Sequence, residues 1–353
     1  MNMLAPVHHV IGLTTITRER LLPVSGVIHA RLNQKVTPAD VVAEANWARE
    51  HVLVDVTRML GISPDQADRL IKCKVGENVA AGAEIAVGRG IFPRHIRAPR
   101  AGRVVAIGGG QVLMEAGETK YELPAGIHGT VIEIVQKRGV VIRTSGALIQ
   151  GVWGNGRIDT GLLVNITETQ EHILTSAQLD ISLRGSIILG GMLKDVETLE
   201  TAAQLPVRGL ILSSIPSPLI QQAREMRYPI MVTDGFGAMP MNSAAYRLLS
   251  TNAKREVTLN AERYNRYSGA RPEVIIQLPV SNDPPAPREV ESVAPGLQVR
   301  MRRPPHMGMI GSIIELKPGL TMLPSGLRAA AAEVKLENGE TAIAPLVNLE
   351  VVG

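Results

Sequence analysis

Three places in the sequence hold residues whose types and spacing could do chemistry. The first is a set of short turns: Gly190-Gly191, Ser213-Ser214, and Asp234-Gly235 with Gly237 close behind. Each ends an apolar run, so together they read as the carboxyl rim of a parallel sheet. There glycines let a phosphate or sugar approach the backbone, and Asp234 can accept a hydrogen bond from a hydroxyl. Glycine and serine are also what short βα turns and helix caps require, and no dinucleotide or phosphate-loop string accompanies them. The ligand is therefore left open, and no cofactor is expected. The other two places are basic clusters. Arg94, Arg97, Arg100 and Arg103 fall within ten residues, and Arg300, Arg302, Arg303 and His306 crowd a later stretch. Arginine forks suit phosphate, so both are candidate polyanion sites, against the plainer reading of a solvated face. Neither cluster contains an aromatic residue. RNA, if bound, is expected to be held through its backbone and not by stacked bases.

The remaining candidates are thinner. His8-His9 has no third ligand at metal-like spacing and reads as a surface pair, so no metal is expected. Cys73 lies between Lys72 and Lys74, whose charge would favour a thiolate, although a lone cysteine in a β segment is more often inert. His128 and His172 have no carboxylate at a diagnostic spacing, and Asp55 and Arg58 form a pair without an acid and base role. The glycine-dense stretch 146–156 reads as a tight, buried junction. No catalytic residue is assigned.

Composition bounds the elements that must position these groups. The chain has 353 residues, 45% hydrophobic and 20% charged, enough for two or three packed domains. Aromatic residues make up only 3%, so the cores must be built from Val, Ile, Leu, Ala and Met, and base-stacking nucleic-acid binders are disfavoured. One cysteine excludes an intramolecular disulfide framework and fits a reducing cytoplasm. No apolar run is long enough for a membrane span, and the formal charge of +4 does not by itself demand a polyanionic partner.

Along the chain, a Pro, a short gap, a Gly and a β-branched run recur at Pro23, Pro99 and Pro124, so residues 1–158 read as short strands and tight turns around one small helix near 63–71. From 159 to 280, apolar runs at 186–189, 209–212 and 230–232 alternate with helical spacing at 196–205, 219–226 and 243–249, the pattern of parallel βαβ units. Residues 281–292 hold a proline-rich linker, and 293–353 hold five short strands with an Asn338-Gly339 hairpin signal.

Two stretches resemble known families. Val75 to Ala86, followed by Ile96 to Val104, resembles the barrel-sandwich hybrid of biotinyl and lipoyl carriers, a module also found in Rnf-type electron-transport subunits and large RNA polymerase subunits. Such carriers hold a modified lysine at a hairpin tip. The corresponding turn here, Ile107 to Ala116, has none, which implies a rigid docking module. Pro295 to Met301 with Arg303 to Ile313 looks like the KOW motif of SH3-like barrels in transcription-elongation factors and ribosomal proteins, which bind RNA or protein.

The expected architecture is a multidomain α+β chain: a barrel-sandwich hybrid, a small Rossmann-like α/β domain and a C-terminal SH3-like β-barrel. The expected function is that of a non-enzymatic cytoplasmic adaptor or assembly subunit of a protein complex, its terminal barrel engaging RNA backbone or a protein of the transcription or translation machinery. Two rivals stand beside it, a ligand-binding or enzymatic α/β domain within a complex and a homo-oligomeric structural protein.

Overall fold

The computed structural model describes residues 3–90, 92–267 and 269–353. The chain is β-rich, with helices confined to short segments, and its strands form three large sheets and two small hairpins.

The largest sheet has twelve strands and contains both antiparallel and parallel pairs. At its parallel end, Ile158–Asn165, Ser186–Leu193, Gly209–Ile215 and Ile230–Phe236 lie side by side in chain order. The last three strands are fully buried apart from Phe236, as expected for continuous apolar runs covered on both faces. The period of two divides their side chains. Ile187, Leu189 and Ile211 pack with Ala245 and Leu249 of the helix Ser243–Thr251. Ile188, Leu210 and Leu212 face the other way, onto Leu199 and Ala202 of Val196–Gln204 and Ala223 of Ile220–Glu225. The helices start where the sequence provides caps: Asp195 accepts from the Thr198 amide and Asn242 from the Ala245 amide.

The sheet continues through Glu256–Asn260 and Glu273–Gln277 into Gly139–Gln150, which also pairs along its length with Val10–Leu21. The glycine-dense stretch lies at this passage. A Cβ on Gly146 would stand 2.0 Å from the Ile276 carbonyl oxygen, and one on Gly154 2.3 Å from that of Ala261, so backbones meet where side chains would not fit.

Residues 1–158 do not share one core. Ile16, Leu22, Val42, Ala43, Leu123, Val131 and Ile142 belong to one cluster, while Val54, Val56, Ile85, Ile96, Val104, Val112 and Met114 belong to another. A long antiparallel ribbon joins them: Val41–Asp55 pairs with Gln111–Pro124 from the Val41 and Pro124 end to the Asp55 and Gln111 end. Its first part lies in one core and its far part in the other. Residues 52–115 are thus a lobe carried on the ribbon.

The terminal sheet has seven strands and recruits the start of the chain. Leu4–His8 lies between Val290–Ser292, antiparallel, and Leu349–Val352, parallel. Val7 joins Val299, Ile313, Val334 and Val351 in the core there. Strands from both sides of residue 158 thus share this sheet. The proline-rich stretch 281–292 is docked as well: the Thr14 hydroxyl donates to the Pro285 carbonyl at 2.8 Å, and 290–292 forms the edge strand. The hairpin at Asn338-Gly339 is present, with left-handed backbone at Gly339 alone (φ 89°) and the Gly339 amide closing on the Leu336 carbonyl.

Candidate functional site

The carboxyl rim of the parallel strands is closed by the chain itself. Gly190 and Gly191 are buried, and a Cβ on Gly191 would sit 2.3 Å from the His172 carbonyl oxygen. Gly191 also has φ 75°, a backbone that favours glycine. Ser213 and Ser214 have no exposed surface. The Ser214 hydroxyl accepts from the Met239 amide at 3.0 Å, which folds the loop after Asp234 back over the strand ends. Gly235 lies under Met239, and Gly237 donates its amide to the Ile215 carbonyl at 3.0 Å. Of these positions only Gly237 is exposed.

Asp234 is 3% exposed and accepts four hydrogen bonds. Oδ2 takes the Thr233 hydroxyl at 2.7 Å and the Asn242 amide at 3.2 Å. Oδ1 takes Asn242 Nδ2 at 2.9 Å and Arg300 Nη1 at 2.8 Å. The carboxylate that sequence reasoning offered to a ligand hydroxyl is thus bound by an arginine that the same reasoning offered to phosphate. Arg300 is 2% exposed. Its Nε donates to Glu350 Oε2 at 2.8 Å, its Nη2 to the same oxygen, and its Nη1 also reaches the Thr233 carbonyl at 3.3 Å. Burial alone would disfavour the charged guanidinium; the attraction of Asp234 and Glu350 outweighs it and raises the Arg300 pKa above its ordinary value. Burial would likewise raise the Glu350 carboxyl, and Arg300 overrides it and holds that group below the usual carboxylate range. Asp234 belongs to the parallel sheet, and Arg300 and Glu350 to the terminal sheet, so the network clamps one to the other.

His8 completes the clamp and corrects the reading of His8-His9 as a surface pair: each is 1% exposed. The Gln150 carbonyl, an obligate acceptor, lies 2.9 Å from His8 Nε2, so that nitrogen carries the proton. Nδ1 is then an acceptor for Arg271 Nη1 at 3.4 Å. Burial lowers the His8 pKa to about 3, which keeps the ring neutral. Nothing in the local sequence marks His8 for this place, because its partners lie 142 and 263 residues away.

The basic clusters fare differently. In the terminal stretch, Arg300 is withdrawn from solvent and Arg302 Nη1 reaches Glu350 at 3.4 Å; Arg303 remains on the surface, and His306 lies 3.9 Å from Glu340. Arg94, Arg97, Arg100 and Arg103 are all exposed on the lobe. Arg100 pairs with Glu50, and Arg97 donates to the Gly82 carbonyl at 3.3 Å; Arg94 and Arg103 have no ion-pair partner among the described residues.

Sequence reasoning missed what surrounds Arg94. A cleft of about 510 Å³ opens on the lobe, with Leu60, Ile62 and Leu70 in its lining and Arg69, Arg89 and Arg94 around it. Leu60 ends the helix Val56–Leu60, which Gly61 terminates in left-handed backbone (φ 66°). Arg69 and Leu70 follow the helix Pro64–Asp68. The Gly88 amide donates to the Arg94 carbonyl at 2.8 Å, which holds the backbone of Arg94 beside that of Gly88 and Arg89. Arg69 and Arg89, like Arg94, have no ion-pair partner among the described residues. Asp68 caps the Gly110 amide at 2.7 Å, Glu84 is bound by Lys72 and His95, and Asp65, exposed on the helix Pro64–Asp68, has no ion-pair partner among the described residues. Phe92, which also lines the cleft, is 91% exposed. Three cations from segments 20 to 25 residues apart and three aliphatic side chains meet only through the fold, which is why the pattern was invisible in the linear string.

Other groups have structural duties. Cys73 is 8% exposed, and burial raises its thiol pKa, so the flanking lysines do not activate it. Asp55 caps the helix through the Arg58 amide at 2.9 Å. The lobe hairpin turn is Gly109-Gly110, both with positive φ, and the Gly110 carbonyl accepts from the Val56 and Thr57 amides, tying the tip down. Among the described residues no three His, Cys, Asp or Glu side chains are grouped to hold a metal, and no helix is long and apolar enough to cross a membrane. The chain matches no model of a known protein family and no curated protein.

Proposed function

We propose that this protein is a non-enzymatic docking subunit of a protein assembly, and that its lobe, carried on the ribbon, is the part that meets the partner. The observation that carries this reading is the division of the arginines. Arg300 is spent inside the molecule, clamping the terminal sheet onto the rim where an open parallel sheet would otherwise take a ligand. Arg69, Arg89, Arg94 and Arg103 stand free on the lobe. In this reading the lobe is the barrel-sandwich hybrid with its tip tied down instead of carrying a modified lysine, the parallel end of the large sheet is a Rossmann-like unit, and the terminal sheet is an SH3-like barrel. The single buried thiol suits a reducing cytoplasm.

The test is affinity capture of the full chain from its own cells, with and without nuclease, beside a variant carrying Arg69→Glu, Arg89→Glu and Arg94→Glu. Proteins retained after nuclease and lost from the variant are the expected result. Loss of all partners on nuclease treatment would replace this reading with the RNA one, which the surface Arg303 and His306 of the terminal stretch would then serve.

A further inference from the structure

We infer that the lobe cleft takes an acidic amphipathic peptide segment of a partner protein, its apolar side chains on Leu60, Ile62 and Leu70 and its carboxylates on Arg69, Arg89 and Arg94. The inference rests on the docking reading and names the chemistry of the partner. Charge complementarity decides the occupant. Three guanidinium groups from two segments line one cleft together with Leu60, Ile62 and Leu70; Asp68 is engaged by the Gly110 amide and Glu84 by Lys72 and His95, and Asp65, exposed on the helix before Arg69, makes no ion pair with any of them. Three unpaired cations lining one cleft call for an anion, and a planar fork matches carboxylate bidentately. The half-buried Leu60, Ile62 and Leu70 in the same lining call for apolar side chains beside the carboxylates, which a bare polyanion does not supply. Phe92 also lines the cleft with almost its whole ring in solvent, the kind of aromatic group that anchors a protein interface when a partner buries it. A nucleic acid would use the arginines and leave the three aliphatic side chains without a partner, and one ring gives no stacking platform.

The experiment is fluorescence anisotropy on the full chain with four labelled or competing probes: a synthetic peptide of leucine and glutamate at helical spacing, polyglutamate, single-stranded RNA, and vesicles containing phosphatidylserine. Expected is saturable binding of the leucine-glutamate peptide, at least about tenfold tighter than polyglutamate and weakened by salt. Arg69→Glu with Arg94→Glu should cost about tenfold or more, and Phe92→Ala several-fold, with the melting temperature unchanged because all three side chains are exposed. Arg103→Glu, outside the cleft, should change affinity far less. The inference is overturned if the peptide does not bind, if polyglutamate binds equally well, or if RNA or vesicles bind more tightly through the same arginines. Partners captured in the preceding experiment, together with no peptide binding, would overturn this inference and leave the docking reading standing.

Discussion

Replacing Arg300 by methionine probes the join between the parallel and terminal sheets. Methionine keeps most of the stem and removes the charge, so what changes is the pairing. Breaking a buried ion pair by removing one partner costs about 3–5 kcal/mol, since the remaining charge is left uncompensated. The structure places this site at the low end. Asp234 keeps the Thr233 hydroxyl and both Asn242 donors, so the group most harmed is Glu350, which is 17% exposed and retains Arg302 at 3.4 Å. A loss of about 3 kcal/mol corresponds to a fall of about 6–12 °C in the melting transition of a unit this size. Calorimetry should show that fall in the transition of the paired sheets, while the lobe, whose core is separate, melts as before. Adding Glu350→Gln should recover part of the loss, because the second change removes the stranded charge. A fall no larger than that of Arg302→Met, or strictly additive losses for Arg300→Met and Glu350→Gln, would refute the clamp.

The same site sets a pH dependence. The native pKa of His8, about 3, lies below its unfolded value of 6.5, so its contribution is complete above about pH 6.5 and is lost as pH falls toward 3, by an order of 4–5 kcal/mol in all. Glu350, also lowered, acts in the same direction as pH falls through the carboxylate range, so His8→Gln should flatten the acid limb of a stability profile between pH 6.5 and 4. Gly110→Ala forces a side chain onto a backbone with φ 75° and within 1.8 Å of Thr57 Oγ1, and should destabilise the lobe by about 2–4 kcal/mol, read as new proteolytic cuts within 52–115 and none elsewhere. Asn155 Nδ2 donates to the Ala223 and Tyr228 carbonyls and its Oδ1 accepts from the Ile230 amide, so Asn155→Ala should cost about 2–4 kcal/mol in denaturant titration by stranding buried backbone groups. Cys73 should react with a thiol reagent far more slowly at pH 8 than an exposed cysteine, becoming reactive only in denaturant.

The elements that the sequence made legible are those specified locally. Val196–Gln204 and Ser243–Thr251 have a periodic apolar face and a capping Asp195 or Asn242 in the adjacent residues. Ser186–Leu193 reads as a buried strand from its apolar start alone. The hairpin at 338–339 follows from the freedom of one glycine. What stayed hidden depends on distance along the chain. In Gln298–Met301 the alternation puts Val299 and Met301 in the core and suggests that Arg300 faces water. That second face is covered by the parallel sheet through Asp234, 66 residues away. Leu4–His8 looks like the first strand of the first unit, and the pairing that moves it to the terminal sheet is with residues 349–352. The two cores within 1–158 escaped notice because the ribbon keeps its β pattern unbroken from one to the other.

The central claim is that the lobe, and not the terminal sheet, meets the partner. Cross-linking of the captured assembly with a lysine-reactive reagent tests it most directly, because exposed lysines mark both surfaces: Lys72 and Lys74 on the lobe, Lys335 on the terminal sheet. Cross-links to partner proteins concentrated at Lys72 and Lys74 are the predicted result. Cross-links concentrated at Lys335, with the lobe lysines unmodified by partners, would contradict it.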